Sequence, residues 1–223
     1  MKEMLDMHDI DKAWSTLQFG GPMVYPLLIL AIITLAILLD KTYVYWYYTR
    51  PPRALLRLAE NHASGWEALE TQVAALNPHH HFARFLGTIL QHRQGPAWWT
   101  ESRAGDEAQS IEGALGRGLW ILETTVTAAP LLGLLGTIIG MMDAFHLIGN
   151  KGLVDPKGVT SGVAEALIAT ALGLLIALVA LFGFNLFSRL QSRTLDQMER
   201  IGTRLVDRVR LDTDDDGARD EAA

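Results

Sequence analysis

AEALIATALGLLIALVALFGF, residues 164–184, carries a single charged side chain, that of Glu165. From Ala166 to Ser188 there are 23 residues without a formal charge. Runs of at least about 18 mostly apolar residues are long enough to cross a hydrocarbon layer of about 30 Å as a helix. This stretch therefore predicts a transmembrane helix, and with it a membrane protein rather than a water-soluble globule.

Two further uncharged runs have the length of a membrane span, 27 residues from Ala13 to Leu39 and 19 residues from Thr124 to Met142. They lack the alternation of apolar and polar residues that a membrane β-barrel requires. We therefore expect an all-α membrane protein with three transmembrane helices. The first 12 residues hold four acids and two lysines, without the basic start of a signal peptide, so the first run is interpreted as a retained anchor.

Composition excludes several classes of function. The 223 residues include no Cys, which rules out disulfides, thiolate metal sites and cysteine nucleophiles. A net charge of −6 argues against a general nucleic-acid binder. No phosphate loop, catalytic triad or zinc motif is present, and the run His79–His81 is interpreted as solvated loop residues. Neither an enzyme nor a bound cofactor is expected.

The positions of the 19 Lys and Arg residues predict the orientation. With three spans, the central stretch and the C-terminal tail share one side of the membrane and hold 15 of the 19. The positive-inside rule makes that side the cytoplasm and leaves the N-terminus outside. The aromatic cluster at 43–48 is typical of the headgroup layer, and a core cluster of the cytoplasmic part is the alternative.

The predicted organisation has eight parts. They are an outer-facing N-terminal segment (1–17), transmembrane helix 1 (18–40), a cytoplasmic helical loop domain (41–123), transmembrane helix 2 (124–147), a short outer turn (148–159), transmembrane helix 3 (160–187), a cytoplasmic helical extension (188–211) and a disordered acidic tail (212–223). Apolar residues at spacings of 3 and 4 also predict one long helix from Ser102 into the second span and another continuing beyond the third.

Small residues line one face of each of the last two spans: Gly133, Gly136 and Gly140 in the second, and Ala169, Gly173, Ala177 and Ala180 in the third. Small side chains let helix backbones approach closely in lipid. This pattern indicates either a packed hairpin of the two helices or a tightly packed ring of several copies, and both alternatives stay open.

Three polar residues interrupt the apolar spans. Glu165 is an acid inside the third helix, where a charge is expensive and is therefore usually paired, protonated or exposed to water; a functional acid and an acid favoured near a helix N-terminus are the two alternatives. Thr137 and Thr170 are hydroxyls whose simplest partners are the carbonyls four residues earlier, at Gly133 and Ala166. Asp143 ends the second span and is interpreted as interfacial.

The residues APLLGLLGTIIGMMDAF and DPKGVTSGVAEALIATALGLLIALVALFGFNLF resemble the MotA/TolQ/ExbB proton-channel family, and its ExbB-type biopolymer transport proteins most of all. GGPMVYPLLIL and LLDKTYVY resemble the first span of these proteins. The similarity covers roughly residues 19–50 and 105–190. Two positions depart from the family: Val179 stands where many relatives have proline, and Lys41 follows Asp40 where arginine is common.

The resemblance implies a fold, partners and site residues. It implies an inner-membrane protein whose oligomeric ring, a homopentamer, surrounds a dimer of a single-span ExbD-type partner that supplies an essential aspartate. A TonB-type protein would couple this complex to transport across the outer membrane. Glu165, Thr137 and Thr170 match polar positions of the ion pathway, and Asn185 matches an asparagine near the inner end of the third span, with a pathway or a structural role. No metal site is implied.

The sequence therefore predicts a proton-channel subunit of a motor driven by the proton motive force. A TolQ-type role in envelope integrity and a non-conducting membrane scaffold remain alternatives. A MotA-like stator fits less well because proteins of that type have four spans, and the lipid bilayer is the one partner that the apolar runs demand by themselves.

Overall fold

The structure, a computed structural model, describes residues 21–49, 55, 58, 65–149 and 156–220, and the side chains of 147–149, 156–157 and 214–220 are not part of that description. The N-terminal segment predicted at 1–17 and most of the turn predicted at 148–159 lie outside the described residues.

The described residues form six α-helices and no β-strand. The helices are α1 (Val24–Val44), α2 (Trp66–Ala74), α3 (His81–His92), α4 (Ala97–Gly116), α5 (Leu119–Gly149) and α6 (Pro156–Asp220), and a π-helical turn, Tyr45–Thr49, follows α1. Three helical stretches are long and apolar enough to cross a membrane, namely Val24–Thr49, Ala97–His146 and Gly158–Thr213. The predicted all-α membrane fold with three transmembrane helices is confirmed.

The chain divides into two units, and the first comprises residues 1–38 and 118–186. Its described part consists of most of α1, α5 and the N-terminal part of α6. Leu27 of α1, Ala129 of α5 and Ala177 of α6 form its buried centre, and larger side chains pack around them: Leu30, Leu132, Leu172 and Ile176. Many large apolar side chains on the outside of these helices stay exposed, as lipid or further chains require.

Two features of the long helices concern proline. Pro130 lies inside α5, and because proline has no amide hydrogen it leaves the carbonyl of Val126 without its usual helical partner. In α6 the family's expected proline is absent, and the helix runs without a break through Val179. A kink in the third span therefore has no proline to cause it.

The second unit comprises residues 39–117 and 187–223 and contains α2, α3, α4 and the C-terminal part of α6. Its core is aliphatic and aromatic: Phe82, Phe85, Leu86, Ile89, Ile111, Leu115, Met198, Leu205 and Val209 are all buried. The strongly amphipathic α3 supplies four of these side chains, because its apolar residues recur at spacings of 3 and 4.

Trp66 joins α2 to α6 within the second unit. Its indole Nε1 donates a hydrogen bond of 2.8 Å to a carboxylate oxygen of Asp212. The guanidinium groups of Arg208 and Arg93 lie 4.3 and 5.6 Å from the centre of its ring, within the range of cation–π attraction. One aromatic side chain thus connects the short helix α2 to the end of the long helix α6.

The prediction of one long helix from Ser102 into the second span is wrong in one respect. It is broken at Arg117 and Gly118, where α4 ends and α5 begins. Gly118 has a φ of 82°, in the left-handed region that residues with a β-carbon rarely adopt. The 3–4 spacing continues across this break, so the apolar pattern alone does not reveal it.

At the other end of the chain, α6 continues to Asp220, into the segment for which the acidic composition predicts disorder. Asp212 accepts the hydrogen bond from Trp66, and the Thr213 hydroxyl donates to the carbonyl of Val209 at 2.8 Å. These contacts fix the first residues of the segment in helical conformation, which composition does not show.

The interpretation of the histidine run as solvated is wrong for two of its members. His79 is exposed, but His80 and His81 are buried. The His80 ring nitrogen Nδ1 accepts the amide of Phe82 at 3.2 Å and so caps the N-terminus of α3. His81 faces the core because it opens the amphipathic helix on its apolar side.

Candidate functional site

The candidate site lies in the first unit, where α5 and α6 pack along their small residues. A β-carbon on Gly173 would lie 2.5 Å from the carbonyl oxygen of Ala129 and 3.0 Å from the α-carbon of Gly133. A β-carbon on Gly133 would lie 3.0 Å from the carbonyl oxygen of Ala169. Real β-carbons almost never approach other atoms so closely, so the two helices touch through their backbones.

The same close packing continues toward the loop that joins the two helices. A β-carbon on Gly140 would lie 3.1 Å from the carbonyl oxygen of Gly162, and one on Gly162 would lie 2.9 Å from the β-carbon of Ala144. The small-residue faces read from the sequence therefore pack against each other within one chain. We call this line of contact the α5–α6 seam.

The seam brings Thr137 and Thr170 together. Their hydroxyl groups are in direct hydrogen-bonding contact across the two helices. The hydroxyl oxygens of Thr170 and Thr137 also lie 2.9 Å and 3.2 Å from the carbonyl oxygen of Gly133, and because each hydroxyl carries one proton, two of these three contacts are hydrogen bonds at any one time. Two hydroxyls and one carbonyl thus form a compact polar cluster, the hydroxyl pair, in an apolar seam.

The carbonyl acceptor predicted for the Thr137 hydroxyl is confirmed, and the prediction for the Thr170 hydroxyl is wrong. Thr137 bonds to the carbonyl of Gly133, four residues earlier in its own helix. Thr170 bonds to Gly133 on the neighbouring helix instead of to Ala166 on its own. The absence of a side chain on Gly133 explains the difference, because it lets Thr170 reach the backbone of α5.

Glu165 is half-buried and separate from the hydroxyl pair. Its carboxyl group lies against Gly21, the residue three positions before the first residue of α1, so closely that a β-carbon on Gly21 would overlap it. Within the described residues no hydrogen bond joins Glu165 to Thr137 or Thr170. The structure therefore places two of the three predicted pathway residues together and the third at the start of another helix.

The other polar residues noted in the spans lie on the outside of the chain. Asn185 is exposed on α6, and Asp143 is exposed near the end of α5. In the part of the chain that the structure describes, no group of three His, Asp or Glu side chains is placed to hold a metal ion.

Lys41 is a polar residue whose position the sequence pattern did not reveal. It is 2% exposed, and its ammonium group donates to the carbonyl oxygen of Leu115 at 2.8 Å. Leu115 lies in the last turn of α4, where unpaired carbonyls favour a cation. Lys41 therefore caps α4, and the signal for this role is its place directly after the apolar run, where a family arginine is common.

Comparison with known proteins agrees with this architecture. Residues 67–200 match the MotA/TolQ/ExbB proton channel family. A putative biopolymer transport protein, ExbB-like 1 of Synechocystis sp., is 31% identical over 193 residues, which cover 83% of this chain and 74% of that protein.

Two further relatives carry the same kind of name. Biopolymer transport protein exbB1 of Vibrio cholerae is 33% identical over 149 residues, covering 66% of this chain and 60% of that protein. Biopolymer transport protein ExbB of Aquifex aeolicus is 40% identical over 87 residues, covering 39% of this chain and 59% of that protein. The three helices, the glycine-lined seam and these similarities lead to one assignment: the chain is an ExbB-type member of the MotA/TolQ/ExbB proton channel family.

Proposed function

We propose that this chain is the proton-channel subunit of an inner-membrane motor that energises transport across the outer membrane. In this proposal an ExbD-type single-span protein supplies an aspartate, and a TonB-type protein carries the resulting work to outer-membrane receptors. The N-terminus is periplasmic and the C-terminus cytoplasmic, as the distribution of Lys and Arg predicts.

The hydroxyl pair is the observation that carries the proposal. A hydroxyl both donates and accepts hydrogen bonds, so two of them in contact can receive a proton on one side and release one on the other. Thr137 and Thr170 meet at the carbonyl oxygen of Gly133, in a seam whose other close contacts are made by Gly and Ala. Polar groups of this kind inside a membrane protein are typical of ion and proton pathways.

Glu165 supplies the ionisable group of the pathway. An acid inside the apolar part of a membrane protein is costly, and such residues commonly mark ion pathways. In the proposed homopentamer, five copies of Glu165 form an acidic ring that attracts cations to the outer mouth of the channel. A proton bound there passes toward the hydroxyl pair and the partner's aspartate.

The outer surface of α6 supports contact with other chains. Ala164, Leu167, Ala171, Leu174, Leu178, Leu181 and Asn185 are exposed at alternating spacings of 3 and 4 and form one continuous stripe. A helix face that carries small residues beside larger apolar ones suits packing against another helix. We assign this stripe to the contact with the ExbD-type partner or with the next copy in the ring.

The free energy available is sufficient for a mechanical step. One elementary charge that crosses 100 mV releases about 2.3 kcal/mol. A few protons per cycle therefore release enough free energy to drive a rotation or a conformational change of the partner. The Glu165 carboxyl group and the two hydroxyls are the groups through which these protons pass.

The test is proton flux into vesicles that contain the chain and its candidate partner, followed with an enclosed pH-sensitive dye. Glu165→Gln and Thr170→Val are expected to lower the flux at least tenfold while the complex still assembles, because each removes a group of the pathway.

Two matched controls separate the pathway from general damage. Asp143→Asn removes an exposed acid from α5, and Thr34→Val removes a buried hydroxyl of α1 that bonds only to the carbonyl of Leu30 in its own helix. Both controls are expected to conduct. Flux that is unchanged in Glu165→Gln and Thr170→Val would show that these residues are not part of the pathway.

A non-conducting scaffold and a TolQ-type subunit are the competing functions. The scaffold predicts that the same substitutions change assembly and leave flux at the background level in every variant. The TolQ-type role predicts normal flux together with a third partner that maintains the envelope, so copurification of the assembled complex identifies which third protein it binds.

A further inference from the structure

The turn that precedes α1 has an unusual backbone at Gly21. The φ of this residue is 69°, in the left-handed region that glycine adopts without strain. The carbonyl oxygen of Gly21 accepts the amide of Val24 at 3.1 Å and so begins the hydrogen bonding of α1. Gly21 is therefore fixed by its own helix in a conformation that other residues adopt only with strain.

The space beside Gly21 is filled by the carboxyl group of Glu165. A β-carbon on Gly21 would overlap one carboxylate oxygen and would lie 2.7 Å from Cδ and 3.0 Å from Cγ of Glu165. Both residues belong to the first unit. The acid of α6 thus occupies the volume that any side chain at position 21 would need.

The turn is also held from the side of α5. A β-carbon on Gly136 would lie 3.2 Å from the β-carbon of Met23, so Met23 packs on the backbone of α5. The start of α1 is therefore fixed between α5 and α6. The unpaired amides at a helix N-terminus carry a partial positive charge, which favours a carboxylate placed next to them.

We propose that Gly21 is a positioning residue for Glu165. Its missing side chain lets the carboxyl group rest at the N-terminal end of α1, and its backbone conformation sets where that end lies. This inference rests on the proposed function of Glu165 in the proton pathway. It adds that the start of the first span determines where the proton is received, although the residues there, Gly21, Pro22 and Met23, have no acidic side chain.

The experiment compares Gly21→Ala with Gly118→Ala in the full chain, reconstituted with the candidate partner. Gly118 is a matched control because its φ is also positive, at 82°, while a β-carbon there would meet only Ile37 at an ordinary 3.7 Å. Both substitutions strain the backbone, but only the first displaces Glu165. We expect proton flux to fall about tenfold or more in Gly21→Ala relative to Gly118→Ala.

The compensating variant is Gly21→Ala combined with Glu165→Asp. Aspartate is one methylene shorter, so it removes the atom that overlaps the new β-carbon most and relieves the contact. The double variant is expected to conduct better than Gly21→Ala alone. If Gly21→Ala does not fold, recovery of folding in the double variant supports the proposal, and a double variant that still fails to fold while Gly118→Ala folds overturns it.

A second readout does not depend on conduction. The infrared band of the Glu165 carboxyl group, assigned by its loss in Glu165→Gln, is expected to shift in Gly21→Ala and to stay in place in Gly118→Ala. If the band shifts in Gly21→Ala but the unsubstituted protein shows no proton flux, the proposed function is wrong, and the positioning of Glu165 by Gly21 still holds. Normal flux and an unshifted band in Gly21→Ala would overturn the inference.

Discussion

The hydroxyl of Thr170 donates to the carbonyl oxygen of Gly133 on the neighbouring helix at 2.9 Å. The same oxygen accepts the hydroxyl of Thr137 at 3.2 Å. One backbone atom therefore joins two side chains that are 33 positions apart in the chain. This arrangement links the stability of the seam to the proposed pathway, because the same groups serve both.

Thr170→Val is expected to destabilise the seam by about 1 kcal/mol, the size of one interhelical hydrogen bond in a membrane protein. Thr170→Ser keeps the hydroxyl and is expected to retain most of that stability. Thermal unfolding in a mild detergent measures both. The double variant with Thr137→Val is expected to lose less than the sum of the single losses, because both hydroxyls share Gly133. Strict additivity would show that the pair is not coupled.

Gly173→Ala is expected to destabilise the first unit by about 1–3 kcal/mol, since the added carbon has no room against Ala129 and Gly133. Gly113→Ala is the matched control, because a β-carbon there, within α4, would meet no atom within 4 Å. That control is expected to be neutral or to gain up to about 1 kcal/mol from the better helix propensity of alanine. Equal unfolding temperatures for the two variants would contradict the backbone contact at the seam.

His81 is expected to make stability depend on pH. Burial lowers the pKa of His81 from 6.5 to about 4, and the positive charges of Arg84 and Lys41 act in the same direction. The unfolded chain binds the proton more tightly than the folded one, so the folded state loses stability as pH falls from about 6.5 to 4, by about 3 kcal/mol in total.

Unfolding temperatures between pH 7 and pH 4 measure this effect. His81→Leu is expected to flatten the profile over that range, whereas His79→Leu, at an exposed position, is expected to leave it as it is. A profile that falls equally steeply in His81→Leu would assign the acid sensitivity to other groups.

Trp66→Ala is expected to loosen α2 from the end of α6. It removes the hydrogen bond to Asp212 and the ring that the Arg208 guanidinium covers, interactions worth about 1–3 kcal/mol together. Amide hydrogen exchange in α2 is expected to speed up accordingly. Trp98→Ala removes an exposed tryptophan of α4 and serves as the control, with exchange in α2 unchanged. Protection of α2 that survives Trp66→Ala would mean that its other contacts, the buried Leu69 and the 2.7 Å ion pair of Glu70 with Arg93, hold the helix.

Much of the fold was predictable because the spans are long and uncharged. The apolar runs indicated three transmembrane helices, and the spacing of Gly133, Gly140 and Gly173 indicated a close helix contact. These features depend on local composition and on helical periodicity, which a sequence displays directly. The break at Gly118 was not predicted because the apolar spacing continues across it. Only the backbone conformation reveals the turn.

The candidate site was predictable in its residues and less so in its contacts. Sequence comparison by motif selected Thr137, Thr170 and Glu165, but the acceptor of Thr170 and the neighbour of Glu165 lie on other helices. Such contacts depend on the register between helices, which residue spacing within one helix does not determine. The burial of Lys41 was not predicted for the same reason, since its hydrogen-bond acceptor, the carbonyl of Leu115, is 74 positions away in the chain.

Pro130 interrupts the amide ladder of α5 one turn before Gly133, at the point where the backbone of a helix bends most readily. The close contacts of α5 with α6 lie on both sides of this proline, at Ala129 before it and at Gly133 and Gly140 after it. The contacts from Gly133 onward hold the two threonines and their shared acceptor together. In the proposed pathway Pro130 lies on the cytoplasmic side of the hydroxyl pair, opposite Glu165, so a bend at this proline would alter where the proton leaves rather than where it is received.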